Sequence, residues 1–519
     1  MMRPWLFLLF GLLAGSSFAQ NEVVYIWAGG VTPTSVNVNA KMTDTSSTIR
    51  LVLSANQNFT SPLYSGYYSV DTNTHLMVAM SLTGLAPGTR YYYAVESGGI
   101  LDSSADDVGT FVTFQQGPCS YSFVTGSCCL NSNHGVYQAM GNFNPLFYSC
   151  IGDLHYANPN SATNINIHRD AYEQQVLSKP RAAAFFKHFP IEYVWDDHDF
   201  SGNDSDSSFA GKVNARLAYR EYVPHYPLPA GPGNNPIYQT FTIGRVHFIH
   251  TDLRSDRYGS SMMGANQKAW FKNECIAARN NNEIICWISS PTWNGNFTDN
   301  WGGYAAERTE LCNFFRDSLI NNMFIICGDA HMLGIDDGTH GDFSSSVSNG
   351  SLYPIFNAAA LNQSGGYKGG TFSEGGYYPN PSYLDGQFGL VSVFDNGGTD
   401  ICIQFAGYRC DSSAGHLSLI NFYSFCRELG AVSSNEPDAS DGLYVFPNPS
   451  SGKVILQSEK PLEDARVLIT GLCGTSREVA ARFHHNTLEI DLSDYSPGVY
   501  FLTLVTGRAV LQKKIVLTR

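Results

Sequence analysis

Apolar, strand-like runs in the middle of this chain end repeatedly in acid, histidine or small polar residues. Two close as Gly152-Asp153-Leu154-His155-Tyr156 and Gly328-Asp329-Ala330-His331, and a third, Tyr193-Val194-Trp195, runs into Asp196-Asp197-His198-Asp199 and then Asn203-Asp204. Hard oxygen ligands and imidazoles delivered from several strand ends, far apart in sequence, suit a polynuclear metal site, because no single segment can surround two cations. The chain therefore reads as a metal-dependent hydrolase.

At 519 residues the chain exceeds one ordinary core, which implies two or three domains. Arg3, the apolar stretch 6–14 and Ser17-Phe18-Ala19 make a secretory signal pattern over 1–19, its apolar run too short to span a membrane. No later segment is long and apolar enough to cross a bilayer, so a soluble product is expected, exported through the periplasm to be secreted or held at the cell surface. A net charge of -14 with no basic run argues against nucleic acid or anionic membrane as a general partner. The 12 cysteines suit an oxidising compartment but do not reveal their pairing. Nothing in the pattern specifies an oligomeric state.

Residues 20–116 alternate apolar and polar in short runs separated by Gly, Pro, Asn and Ser, the pattern of an antiparallel β-sandwich. Within them Leu85-Ala86-Pro87-Gly88-Thr89-Arg90-Tyr91-Tyr92-Tyr93 resembles the tyrosine corner of fibronectin type III domains. Over 117–427 strand runs at 121–125, 147–151, 192–195, 246–251, 284–288 and 323–327 are interleaved with helical spacing at 170–177, 265–279 and 307–320. Such alternation implies a layered α/β core with ligands at the strand ends. A polar linker is expected over 428–442. The tail 443–519, with Phe446-Pro447-Asn448-Pro449 near its start and Lys513-Lys514-Ile515-Val516-Leu517 near its end, resembles the C-terminal sorting domain of the type IX secretion system of Bacteroidetes-type bacteria. That resemblance implies a small C-terminal β-sandwich and the type IX machinery as a partner.

Thr125-Gly126-Ser127-Cys128, the Asp153 and Asp329 motifs, Trp195-Asp196-Asp197-His198 through Asp204, and Asp252-Leu253-Arg254-Ser255-Asp256-Arg257 occur in the order found in PhoD-like alkaline phosphatases. The resemblance implies a metallophosphoesterase core of two β-sheets flanked by helices, a phosphate ester substrate, and a site built around Fe3+ and Ca2+. It makes Cys128 the thiolate on iron, Asp153 the bridging carboxylate and Tyr156 the phenolate on iron. Asp197, Asn203 and Asp329 take the remaining metal positions, with Asp196 a ligand or an acceptor behind one. His198 meets the phosphate or its leaving oxygen, and His331 sits close to the metals. Arg254 is the candidate phosphate clamp, since its planar fork can pair two oxygens.

Other readings stand beside these. Cys128 is followed by Cys129, so either could sit in a disulfide, and Arg254 could instead pair with Asp252 or Asp256. Asp199 and Asp204 read as loop caps, His134, His168 and His188 as surface or core residues, and His155 as facing either the pocket or solvent. An acid and one histidine at 329–331, where related dinuclear phosphatases carry two histidines, favours calcium over zinc. Ser289-Ser290-Pro291-Thr292-Trp293 lacks the Gly-x-Ser-x-Gly elbow of a serine hydrolase. The functional alternative is a cell-surface adhesion or carbohydrate-binding protein on a calcium-stabilised metallophosphatase scaffold, with Tyr377 and Tyr378 as exposed aromatics.

Overall fold

Runs that are buried on both faces, continuously apolar in 284–288 and Met323–Cys327 and mostly apolar elsewhere, become parallel strands. Tyr121–Gly126, Tyr148–Ile151 and Ile191–Val194 pair in parallel in one sheet, and Val246–His250, Ile284–Ser289, Met323–Cys327 and Ile355–Ala358 in another. The structure, a computed structural model, describes residues 22–102, 108–346, 353–380 and 385–429. In the tail it describes 443–446, 450, 452–458, 466–471, 476–479, 481–484, 487–505 and 510–518. The expected signal segment, the linker from 430 onward and Pro447-Asn448-Pro449 lie outside the described residues.

The two sheets, of nine and seven strands, stack face to face. Their inner faces meet through rings such as Phe123 and Phe248, with centroids 5.5 Å apart, and Phe356 and Phe405, 5.0 Å apart. Strand pleating sends successive residues to opposite faces: Ile284, Cys286 and Ile288 join the core between the sheets, while Ile285 and Trp287 pack outward with Phe271 and Phe315. These last two lie on the helices Gly264–Asn280 and Ala305–Asp317, close to the expected positions. The expected helix at 170–177 is the end of Asn166–Tyr172 and its continuation Glu173–Leu177. Pro180–His188 and Lys212–Tyr222 are further helices; Phe185, Phe186 and Tyr219 seat them on the large sheet's side of the core.

The N-terminal segment is not closed off from this core. Val23–Gly29, Ser35–Met42 and Met77–Thr83 extend the nine-stranded sheet, with Gly29 in parallel register with Ile191. Five further strands between Ile49 and Val112 form a separate sheet, and the Ala86 N–H donates to Tyr91 Oη at 3.0 Å, pinning the turn before Arg90–Ser97. At the other edge, Cys402 and Cys426 form a disulfide across neighbouring strands. The tail folds as two four-stranded sheets around Val454, Leu456, Ile469, Leu488, Leu502 and Ile515. Among the described residues no helix is long and apolar enough to cross a membrane.

Candidate metal centre

The candidate residues leave the parallel strands at the same end. Cys128 follows Tyr121–Gly126, Asp153 follows Tyr148–Ile151, Asp196 and Asp197 follow Ile191–Val194, and Asp329 follows Met323–Cys327. Cys128, Asp153, Asp204 and Asp329 all hold left-handed backbone, with φ of 61°, 49°, 60° and 59°. Non-glycine residues adopt this region at a cost, and such positions gather where the side chain must face a site. Glycine at 152 is required by close approach: its φ is +90°, and a Cβ there would lie 2.5 Å from Asp196 Cβ.

The side chains converge in overlapping groups. Cys128, Asp153 and His331 bring ligand atoms within 4.8 Å of one another, as do Asp153, Asp197 and His198, and again Asp197, Asp204 and Asp299. Asp153 joins the first two groups and Asp197 the last two, so the carboxylates form a chain with shared links. Tyr156 Oη donates to Asp153 Oδ2 at 2.9 Å and lies 3.1 Å from His331 Nε2. The His331 Nδ1 is 2.7 Å from the Ser364 carbonyl. The His198 ring packs on Tyr156 with centroids 4.1 Å apart, and its Nδ1 lies 2.6 Å from Asn158 Oδ1.

Burial, then repulsion from Asp197 and Asp196, pushes the Asp153 carboxyl well above the usual range. Burial raises Asp329 to about 6, against the pull of Lys368. Burial and then Asp153 raise both the Tyr156 phenol and the Cys128 thiol. Asp196 Oδ2 and Asp329 Oδ2 are buried without a hydrogen-bond partner. Buried carboxylates that repel one another and keep idle oxygens are the environment that bound cations reverse. The donor set thus fits metal ions: sulfur and phenol oxygen on one side of Asp153, carboxylates on the other.

Residues 123–350 match the family of PhoD-like phosphatases. The chain carries a PhoD-like domain. Residues 444–518 match the secretion system C-terminal sorting domain. Alkaline phosphatase D of Bacillus subtilis (strain 168) is 24% identical over 313 residues, covering 49% of this chain and 53% of that protein, so the chain spans about half the length of this curated relative. A solved structure of PhoD is alike in fold, with a TM-score of 0.62 at 16% identity over 80% of this chain and 92% of that one.

Within the PhoD-like domain one expectation is corrected. Arg254 does not present a free fork to a ligand: it is 0% exposed, its Nη1 and Nη2 donate to Asp299 at 2.8 and 3.1 Å, and its Nε donates to Asp196 at 2.5 Å. Its guanidinium therefore pairs with neither Asp252 nor Asp256; Asp252 accepts from Trp195 Nε1 and from the Arg254 backbone N–H. Burial opposes ionisation of Asp299, yet the Arg254 pair holds it below the usual carboxylate range. Asp196 is thus an acceptor for Arg254 with one idle oxygen.

The remaining expectations sort by position. Asp199 is a cap, accepting from the Asp196 and His155 N–H groups. Asp204 lies in the acidic chain, and both it and its neighbour Asn203 are exposed. Cys128 and Cys129 are both free thiols, the latter packed against Ser132 and Tyr137. His155 is buried against Tyr172, and burial lowers it to about 3. The sequence pattern gave no sign of Asp299 or of Lys368, whose Nζ is 3.2 Å from Asp329 Oδ1. Both sit on long loops with no motif around them.

Proposed function

We propose that this protein is an exported, metal-dependent phosphatase that hydrolyses phosphomonoesters or phosphodiesters with a metal-activated water. The observation that carries the reading is the chain of shared carboxylates, with Asp153 standing between a thiol–phenol–imidazole group and an acidic one. Cys128, Asp153 and Tyr156 would hold ferric iron, and Asp153, Asp197, Asn203 and Asp329 calcium, with Asp204 and Asp299 further oxygen donors. Bound cations would neutralise phosphate oxygens and lower the pKa of water.

The chain's own groups do the rest. Asp153 orients Tyr156 through the 2.9 Å bond. Asn158 occupies His198 Nδ1, which leaves Nε2 as the nitrogen that meets the phosphate or its leaving oxygen. Arg254 acts through others: it fixes Asp196 and Asp299 and so sets the rear wall of the site. Export to the cell surface through the type IX machinery follows from the sorting tail. A purely structural calcium scaffold for adhesion would have no use for a buried thiol and phenol on one carboxylate, which favours the enzyme.

The test is phosphate release at alkaline pH before and after chelation. Chelation abolishes activity and added calcium restores it; full turnover in the verified absence of calcium contradicts the reading.

A further inference from the structure

The cations around the acidic chain differ in what they leave free. Arg254 is closed on Asp196 and Asp299, and Arg257, 3% exposed, is spent on the Tyr304 hydroxyl and on Asp299. Lys368 keeps 26% side-chain exposure and has one carboxylate within ion-pair distance among the described residues, Asp329. An ammonium has three N–H donors, so with one turned to Asp329, and its charge also felt by Asp299 and Asp197, donors remain for a ligand at the mouth of the site.

Lys368 lies on a segment that runs across that mouth. Ser364 accepts at His331 Nδ1, and the Lys368 carbonyl accepts from Asn300 Nδ2 at 2.6 Å. Gly369, at φ +78°, packs so closely on the 296–297 segment that a Cβ would fall 1.6 Å from Asn296 Oδ1 and 2.8 Å from Phe297 Cδ2. The two loops are therefore one wall. On it Tyr367 and Phe297 stand 55% and 48% exposed, rings perpendicular at 89° and centroids 6.2 Å apart. Tyr367 is fixed by its hydroxyl on the Gly370 carbonyl. Tyr367 directly precedes Lys368, and Phe297 lies two residues before Asp299.

We infer that this wall reads the substrate: Lys368 binds a phosphate oxygen, and the Phe297–Tyr367 pair packs against a ring on the esterified alcohol. The inference rests on the phosphatase reading and narrows it to phosphate esters of ring-bearing alcohols. A point charge suits an oxygen of a tetrahedral anion, and paired exposed rings beside it suit an apolar planar group better than water.

The test is calorimetric binding of two inert analogues, phenylphosphonate and methylphosphonate, to the metal-loaded full chain. Wild type prefers the phenyl compound by about tenfold, the gain from burying a ring in place of a methyl. Lys368→Met weakens both about equally, by tenfold or more, at unchanged metal content, and Lys368→Arg recovers much of the loss. The double variant Phe297→Ala, Tyr367→Ala removes the phenyl preference and spares methylphosphonate. Unchanged affinity in Lys368→Met, or lost metal with unchanged affinity per loaded site, overturns the lysine's role. A phenyl preference that survives in the double variant overturns the role of the rings. Wild type that hydrolyses esters but fails these patterns loses the wall and keeps the phosphatase; the binding pattern without ester hydrolysis does the reverse.

Discussion

Tyr156 Oη donates to Asp153 Oδ2 at 2.9 Å, the two residues standing three positions apart in one loop. The bond sets phenol and carboxylate side by side at the point where Cys128 and His331 also arrive. Phenolate and thiolate on one ferric ion give a visible charge-transfer band that calcium or zinc cannot. Tyr156→Phe keeps the fold and shifts or bleaches that band, and Cys128→Ser loosens iron because a neutral hydroxyl is a far weaker ligand. Iron content and visible absorption of protein purified without chelator check this. Stoichiometric iron and an unchanged spectrum in both variants contradict it.

Arg254 is predicted to be a stability residue. Arg254→Ala leaves Asp196 and Asp299 buried without their main partner and destabilises the fold by roughly 3–5 kcal/mol, the cost of breaking a buried pair. Arg254→Lys recovers only part, since an ammonium cannot reproduce the fork. Denaturant unfolding measures both. A variant with wild-type stability and only a raised KM would return Arg254 to the role of phosphate clamp.

His250 gives a pH dependence that does not involve the candidate ligands. It is 0% exposed, neither ring nitrogen has a partner, and burial lowers it from 6.5 to about 3. The unfolded chain binds a proton near pH 6.5 that the folded chain refuses, so stability is full above that pH and falls as pH drops toward 3. The loss by pH 5 is roughly 2 kcal/mol. Unfolding curves at pH 7 and pH 5 for wild type and His250→Phe should show this difference shrinking by about that amount in the variant.

The tail packs a core of its own. A chain ending at Leu429, after the Cys402–Cys426 pair and the final core strand Leu417–Glu428, is predicted to keep its kcat and fail to reach the cell surface in a type IX-competent host. Fractionation and turnover on the same preparation read both; a folded truncation without turnover contradicts the separation.

What the sequence made legible follows the physics of each signal. Buried parallel strands announce themselves as largely apolar runs ending in polar residues, so the amino-acid pattern marks Asp153, Tyr156, Asp197 and Asp329 as candidates, while Cys128 stands out only through the family resemblance. Met323–Cys327 even keeps its expected limits. Arg254 was legible as a site residue but not in its role, because its partner Asp299 is 45 residues away in an irregular loop. Lys368 carries no motif, since a single flexible cation needs no fixed spacing. The join at Gly29 and Ile191 was equally hidden: alternation predicts strands, while which sheet they enter is decided by edges distant in the chain.

The central claim is that Asp153 holds a cation site that hydrolyses phosphate esters. Inorganic phosphate release from a panel of mono- and diesters, with calcium supplied, is the direct measurement for wild type and Asp153→Asn. The account predicts turnover on at least one ester class by wild type and a loss of about a thousandfold or more in the variant, on the scale of removing a metal's contribution to the reaction. Wild-type rates in Asp153→Asn, or no phosphate release from any ester by metal-loaded wild type, would contradict it.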